Sequence, residues 1–581
     1  MRTGNWPIAL AALLMVGCGA RLVLLEQKEG AGLRAQAARE ETANVTISAQ
    51  RGAILDARGR TLAGSDRRPS IFLDPRSTRD ARFLAASIAP VLGLAPDEIE
   101  RTVRDNPDAG FVWLKRRVSD DEAAVIERIK RERGLTGVGV TRESVRIYPY
   151  GSAAAAVIGY VGVDQQGLGG IELSLNDQLV GVDGHRTSTV DRDRRRVRLE
   201  PEAYQPPRDG ANIVLTIDVE IQRILEAELA SLREAYDPNW VMGVVMDPSD
   251  GAILALGSNP GFDPRDPFPD GISVEDAYKR QRIRPLIDAF EPGSIFKPFV
   301  AIGALDDKLT RLDEVFPVRS REHYFGSRRI RDDHDLYDPT LAEVVIYSSN
   351  IGMAMLGERI GGKHIYDYVR RFGFGTPTGV DLPGEQGGVL RDLRQWTKYS
   401  IQSIPMGHEL SVTAVQAVTA FSALCNDGAL LRPRVVRGVV AADGQVIRDN
   451  SEAVVLRRVA PAELVSEFRM VALADVVREG TGEKAQLADY DVFGKTGTAQ
   501  LWDRAAGHYS EEKYVASFVG AAPLERPKLA VVVSAYRPRV ASHYGGTVSA
   551  PAVARILDKS LKYLGVPPTK TPTVKPKESG T

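Results

Sequence analysis

Residues 291–300 read EPGSIFKPFV, and the meaning of one serine and one lysine in that run decides how the chain is read. Ser294 and Lys297 stand three apart among Ile295, Phe296, Phe299 and Val300. Pro292-Gly293 signals a turn, and the residues beyond it are compatible with the start of a helix. On a helix, positions i and i+3 share a face, so Lys297 would stand over the Ser294 hydroxyl. The lysine is then either a charge whose stem packs while its head reaches water, or an amine whose chemistry is used. A serine is a poor nucleophile until a base takes its proton. A lysine is such a base only when neutral, a state favoured by burial and by a second cation nearby. The apolar neighbours would supply the burial, but S-x-x-K alone is a short pattern that recurs by chance.

At 581 residues the chain is too long for one ordinary core, so two or more domains are expected. Basic and acidic residues balance, 75 against 76, which gives no electrostatic case for nucleic acid as a partner. The two cysteines, Cys18 and Cys425, can build neither a disulfide framework nor a cysteine-rich metal site. The seven histidines show no HExxH or other tight ligand spacing, so no metal and no cofactor is expected. Residues 6–25, from WPIALAALLMVGCGA through RLVLL, have roughly the length of a membrane helix. Arg21 lies near the far end, where its side chain can reach the headgroups. The expectation is an uncleaved anchor with residues 1–5 as a cytoplasmic tip and 27–581 on the outer face of the inner membrane. A cleaved signal peptide is the competitor, and VGC at 16–18 resembles a weak lipoprotein site with Cys18 as the lipidated residue.

Residues 27–45 are charged and alanine-rich, suited to a short helix. AQRGAILDARGRTLAG (49–64) then reads as a strand and a tight turn at Gly59, and 65–210 mixes short strands with charged helices. The basic run DRDRRRVR (191–198) reads as a solvated strand or loop. A boundary falls at EAYQPPRDGANIVLTID (202–218). Beyond it, Ile221, Ile224, Leu225, Leu229 and Leu232 form one stripe of an amphipathic helix over 219–235. WVMGVVMDPSDGAILALGS (240–258) carries two β-rich runs around DPSDG, a hairpin signal. Strands and helices through 211–565 predict a mixed α/β (α+β) domain. The closing VPPTKTPTVKPKESGT (566–581) predicts a disordered tail.

Two further segments carry polar groups where chemistry would need them. In DVFGKTGTAQ (491–500), Lys495, Thr496, Gly497 and Thr498 combine a cation with two hydroxyls on an expected strand. A glycine there would let a peptide lie close and add as an extra strand, its carboxylate reaching the lysine and threonines. The alternative is a plain turn. In VVIYSSNIGM (344–353), Ser348-Ser349-Asn350 interrupts an apolar run, either as a cap or as a set of groups paired with something.

Each segment is weak alone, but S-x-x-K, then S-x-N, then K-T-G at wide intervals is the trio shared by class A β-lactamases and penicillin-binding proteins. The chain resembles a class B penicillin-binding protein, most nearly the septal peptidoglycan D,D-transpeptidase. RGAILDARGRTLA (51–63), GLGGIELSLNDQLVGVDG (167–184), VVMDPSDGAILALGSNPGFDP (244–264), FGFGTPTGVDLPGE (372–385) and YGGTVSAPAVARI (544–556) are similar to family segments. The S-S-N form and the last of these favour the septal over the elongation type. Two departures, SIPMGHELSVTAVQ (403–416) for the usual S-F-G-x-G before V-T-P, and DAR for DRN at 56–58, leave the trio intact.

The resemblance implies a pedestal or dimerisation domain over 27–210 and a transpeptidase domain over 211–565. Ser294 would attack the penultimate D-Ala carbonyl of a stem pentapeptide and Lys297 take its proton. Ser348 would relay a proton to the departing amine, and Asn350 orient Lys297 and the substrate amide. Lys495, Thr496 and Thr498, with Gly497, would hold the terminal carboxylate. The N–H groups of Ser294 and Thr498 would form an oxyanion hole. Stem peptides, the membrane, a membrane glycan polymerase and other division proteins are the implied partners, and β-lactams the implied covalent inhibitors. The alternatives are an elongation- or sporulation-type transpeptidase, a D,D-carboxypeptidase, and a catalytically silent division scaffold. A β-lactamase or β-lactam sensor is disfavoured by the pedestal segments. A bifunctional class A enzyme is disfavoured because no glycosyltransferase candidate precedes residue 210.

Overall fold

The valine-rich runs flagged by the sequence form the middle of an antiparallel sheet in a computed structural model, which describes residues 12–21, 42–190, 196–503 and 505–570. Five strands build that sheet: β1 (Trp240–Met246), β2 (Ile253–Asn259), β3 (Phe493–Asp503), β4 (His508–Ala522) and β5 (Leu529–Tyr536). Their order is β2-β1-β5-β4-β3, every neighbouring pair antiparallel, so β3 is an edge strand. The expected hairpin is β1–β2, closed at Gly251, whose φ of 80° the turn requires and glycine adopts without strain. An all-antiparallel sheet makes the domain α+β within the mixed class expected.

Both faces of the sheet are covered, which is why its strands read as almost continuous apolar runs. Side chains alternate across a strand. Val241 and Val245 of β1 face one way, with Val531 and Val533 of β5. They meet Leu225 and Leu229 of α1 (Val219–Tyr236) and Ile556 and Leu557 of α5 (Ala550–Tyr563). Met242, Val244, Ala530 and Val532 face the other way, toward α2 (Lys297–Asp306), α3 (Asn350–Arg371, broken at Gly361) and α4 (Ala414–Cys425). Burying each such aliphatic side chain contributes roughly 1.5–3 kcal/mol. α1 begins one residue after Asp218, whose carboxylate accepts from Glu220 N–H as an N-cap.

The chain divides into two compact units that do not follow the linear cut at 210/211. The larger comprises 52–66, 145–179 and 211–581, and the smaller 1–51, 67–144 and 180–210. Within the larger unit, Ile54–Leu55 pairs in parallel with Asn212–Leu215, which pairs in turn with Val436–Val440. A buried ion pair adds to this: Arg146 donates to Glu172 at 2.6 Å and to the Gly52 carbonyl at 2.8 Å, with the two charged side chains 1% and 0% exposed. In the smaller unit, helices Ala81–Leu92, Pro96–Asp105 and Asp120–Arg133 pack around Ile71, Leu73, Ile88, Ile99 and Ile126. A three-stranded antiparallel sheet of Thr42–Ile47, Gly184–Val190 and Arg196–Gln205 belongs to the same unit.

Two expectations change at the ends of segments. Residues 42–45, expected in a helix, lie in a strand, in keeping with the β-branched residues of TANVTI. Residues 566–570, expected in the loose tail, are tied down. The Val566 carbonyl accepts from Tyr490 Oη at 2.7 Å, and the Asp489 carbonyl accepts from the N–H groups of Thr569 and Lys570. The rest of the tail, 571–581, lies outside the described residues, as do 191–195 of the basic run. Of the proposed anchor, residues 12–21 are helical and exposed, while 6–11 and 22–25 lie outside the described residues. No helix among the described residues is long and apolar enough to cross a membrane.

Because Arg146 and Glu172 are desolvated together, removing one leaves the charge of the other unbalanced in a buried site. Glu172→Ala is expected to cost about 3–5 kcal/mol of stability, and the double change Arg146→Met with Glu172→Leu to recover most of it. Urea unfolding followed by circular dichroism measures both.

Candidate active site

Ser294 lies in a 3-10 turn, Gly293–Phe296, that runs directly into α2 at Lys297. Such a turn has three residues per revolution, so positions i and i+3 nearly eclipse, and the serine and lysine rise on one side. Pro298 fits because the first N–H groups of a helix lack intrahelical acceptors. Every residue from Lys297 to Leu305 is buried, as expected of a helix apolar on all faces.

Lys297 is fully buried, and its Nζ donates to the Ser348 carbonyl at 2.5 Å, to Asn350 Oδ1 at 2.9 Å and to Ser348 Oγ at 3.2 Å. The first two motifs therefore meet at this ammonium. Burial pushes its pKa down to about 8, while Asp332 and Asp333 pull it upward. The lysine is turned toward the second motif, and among the described residues no hydrogen bond links it to the half-buried Ser294 hydroxyl. Catalytic hydrogen bonds of this kind often tighten only with substrate bound.

The second motif serves both of the uses open to it. Ser349 is the N-cap of α3, accepting from Gly352 N–H at 2.9 Å, while Ser348 and Asn350 on either side face Lys297. Ser348 holds a φ of 63°, a strained conformation for a residue with a Cβ. What fixes it is a residue that no sequence motif singles out. Asp332, 3% exposed, accepts from the Ser349 hydroxyl at 2.6 Å, from Ile351 N–H at 3.1 Å and from Asn350 N–H. A carboxylate on these N–H groups also suits the positive end of the helix dipole. In RRIRDDHD it reads as one more surface charge, and only the fold shows it buried.

The third motif is strand, not turn: Lys495–Thr498 lies within β3. Lys495 is fully buried, and its pKa is driven well below the usual lysine range, first by burial and then by the charge of Lys297. The second cation sought for Lys297 is therefore present. Lys495 Nζ donates to Thr496 Oγ1 at 3.2 Å, and the Thr496 hydroxyl shares a 2.6 Å hydrogen bond with Thr481, a second partner the sequence did not reveal. Thr498 Oγ1 accepts from Gly545 N–H at 3.1 Å, which leaves its own proton for an incoming acceptor. Gly497 has a structural use beside the one expected. A Cβ there would come within 2.8 Å of Ile295 Cγ2 and 3.0 Å of the Pro292 carbonyl, so its smallness seats β3 against the turn that carries Ser294.

Two family models match the chain: the penicillin-binding protein dimerisation domain over residues 46–215, and the penicillin-binding protein transpeptidase domain over 241–558. Stage V sporulation protein D of Bacillus subtilis is 34% identical over 532 residues, covering 91% of this chain and 80% of that protein. The probable peptidoglycan D,D-transpeptidase PenA of Neisseria meningitidis is 31% identical over 569 residues, 97% of this chain and 93% of its own. Among solved structures, penicillin-binding protein 3 of Mycobacterium tuberculosis complexed with aztreonam superposes with a TM-score of 0.69 at 26% identity, covering 91% of this chain and 99% of that one.

Two outcomes are expected from this geometry. Gly497→Ala should displace the serine turn and slow acylation of the protein by about a hundredfold, the usual cost of an ångström-scale misplacement; stopped-flow acylation with a chromogenic β-lactam reads it. In the wild type the acylation rate should rise with pH through about 8, as Lys297 loses its proton. The negative charge of Asp332 favours the protonated lysine. Asp332→Asn should therefore move that acid limb to lower pH, and it should also lower the plateau because Ser348 and Asn350 lose their anchor.

Proposed function

Because the chain belongs to the class B penicillin-binding proteins, which join a dimerisation domain to a transpeptidase domain, we propose that it cross-links peptidoglycan stem peptides through an acyl-enzyme on Ser294 during septal wall synthesis. The enzyme is a serine-type D,D-transpeptidase. The observation that carries the residue assignment is the buried ammonium of Lys297, held by Ser348 and Asn350 with its pKa lowered to about 8.

With Lys297 neutral, Ser294 Oγ attacks the carbonyl of the penultimate D-Ala and its proton passes to Lys297 Nζ. The N–H groups of Ser294 and Thr498 receive the oxyanion, a stabilisation usually worth a few kcal/mol of barrier. Collapse expels the terminal D-Ala, whose amine takes a proton from Lys297 by way of the Ser348 hydroxyl. The amine of a neighbouring stem then attacks the ester and restores Ser294. The stem peptide lies along edge strand β3, its terminal carboxylate accepting a hydrogen bond from the Thr498 hydroxyl beside Lys495. Thr496, already engaged by Thr481, acts by orienting Lys495. A β-lactam enters by the same attack and remains on the serine.

Septal use rests on the S-S-N form and the YGGTVSAPAVARI segment. Likeness to a sporulation protein favours a second reading, a sporulation-type transpeptidase. Depletion decides between them: filaments with blocked septa support the first, and normal division with defective spores the second. Residues 6–25 are the proposed membrane anchor, with 27–581 on its outer side; the exposed Leu13, Leu14, Met15 and Val16 of the helical stretch 12–21 support it. The dimerisation domain is the proposed docking module for a glycan polymerase and other division proteins.

Fluorescent penicillin should label a 63.3 kDa membrane band. Ser294→Ala should abolish it, and Lys297→Ala should slow labelling by about 10²–10⁴-fold, the range for loss of a general base. A folded wild type that takes no label would favour the silent scaffold.

A further inference from the structure

On the sheet edge opposite the catalytic strand lies a pocket of about 570 Å³, the size of an ordinary small-ligand site. Its walls come from β2, from α1, from residues 152–156 and from the segment 261–280, all within the larger unit. In the order β2-β1-β5-β4-β3 it stands four strand spacings from β3, about 19 Å. The chemistry of Ser294 therefore leaves it unexplained.

Three groups on these walls are prepared for a partner that the fold does not supply. The first is the Glu226 carboxyl. Its Oε1 accepts from Ala154 N–H at 3.0 Å and from Gln222 Nε2 at 2.7 Å, while its Oε2 has no hydrogen-bond partner among the described residues. Ala154 holds a φ of 56°, a left-handed conformation rare for a residue with a Cβ, and from it delivers that N–H. Withdrawal from water raises the pKa of Glu226, and an ionised carboxyl in such a place is costly until a cation pairs with it. The second is the outer edge of β2. Gln222 lies against Leu256 as a strand neighbour would: its Nε2 donates to the Leu256 carbonyl and its Oε1 accepts from the Leu256 N–H, both at 3.0 Å. Along an antiparallel edge the outward-facing backbone groups recur every second residue, so those of Ser258 come next, and no side chain among the described residues takes them. The third is Arg280, half-buried and without a hydrogen bond or ion pair among the described residues.

We propose that this pocket binds a short free peptide, its amino terminus on Glu226, its backbone paired with Ser258 as an added strand, and its carboxylate on Arg280. Each end of the ligand answers one open group, and the strand edge between them calls for a peptide backbone. Ala154, Ala155 and Ala156, with Phe262, give the rest of the wall an apolar character that suits small side chains. The ligand meets β2 and α1 rather than β3, so its binding does not compete with attack at Ser294.

The test uses the full-length protein with Ser294 already acylated by penicillin, so that the catalytic cleft is closed to peptides. Isothermal titration compares trialanine, its N-acetyl form and its C-terminal amide. Trialanine should bind saturably, and each blocked form should bind about tenfold more weakly or worse, the usual loss when a charge-assisted hydrogen bond goes unmade. Glu226→Gln should erase the distinction between free and acetylated trialanine, and Arg280→Ala the distinction between acid and amide. Circular dichroism shows whether each variant folds, and should one fail, the wild-type series decides alone. Should penicillin not acylate Ser294, the same series on the free protein decides, because the two variants locate the site. No saturable binding of trialanine below about 10 mM would overturn the proposal. Equal binding of the three forms would overturn it too, as would affinities that neither substitution changes.

Discussion

Two lysine side chains share one water-excluded site in this protein, and the rest of the catalytic unit is arranged around that constraint. An ammonium removed from water is costly unless it is paired or neutralised. Lys297 and Lys495 are both fully buried, and their charges oppose each other. The fold answers with acceptors, placing the Ser348 carbonyl and Asn350 on Lys297 and Thr496 on Lys495. The residual effect is a lysine near 8, close enough to neutral pH to stand partly deprotonated and take the proton that a nucleophile gives up. The elements that bury the pair, α2 with the turn leading into it and the edge strand β3, also present Ser294 and Thr498.

Asp332 links that electrostatics to the backbone. By accepting from Ser349, Asn350 and Ile351 it fixes the first turn of α3, and so holds Ser348 in its strained conformation beside the lysine. Its charge also keeps Lys297 from falling further below the ordinary lysine range. Gly407 provides a second constraint of backbone type. A Cβ there would meet the Gly293 carbonyl at 2.0 Å, and its own carbonyl accepts from Gly293 N–H at 3.1 Å. The segment that bears Glu409 is thus locked to the turn that bears Ser294.

Much of this was legible in the sequence, for identifiable reasons. Ser294, Lys297, Ser348, Asn350 and Lys495 sit in short contiguous motifs, so their chemistry survives without knowledge of long-range contacts. α1 and the β1–β2 hairpin follow from apolar periodicity and one glycine turn. Asp332 and Thr481 were not legible, because each gains its meaning from a partner far along the chain. Gly497 was noticed for one neighbour only: the sequence suggests room for substrate, and the structure adds room for Ile295. The two-unit division was also hidden, since 52–66 joins the larger unit by pairing with Asn212–Leu215, and 145–179 is tied to 52–66 by the Arg146 hydrogen bond to the Gly52 carbonyl, contacts that no local pattern announces.

The most direct measurement is titration of the Lys297 ammonium itself, by heteronuclear NMR of lysine-labelled protein, with its signal assigned by comparison with a Lys297→Met control. A midpoint near 8 is expected, moving downward in Asp332→Asn. A midpoint at the ordinary lysine value of 10.5 would contradict the base assigned to Ser294.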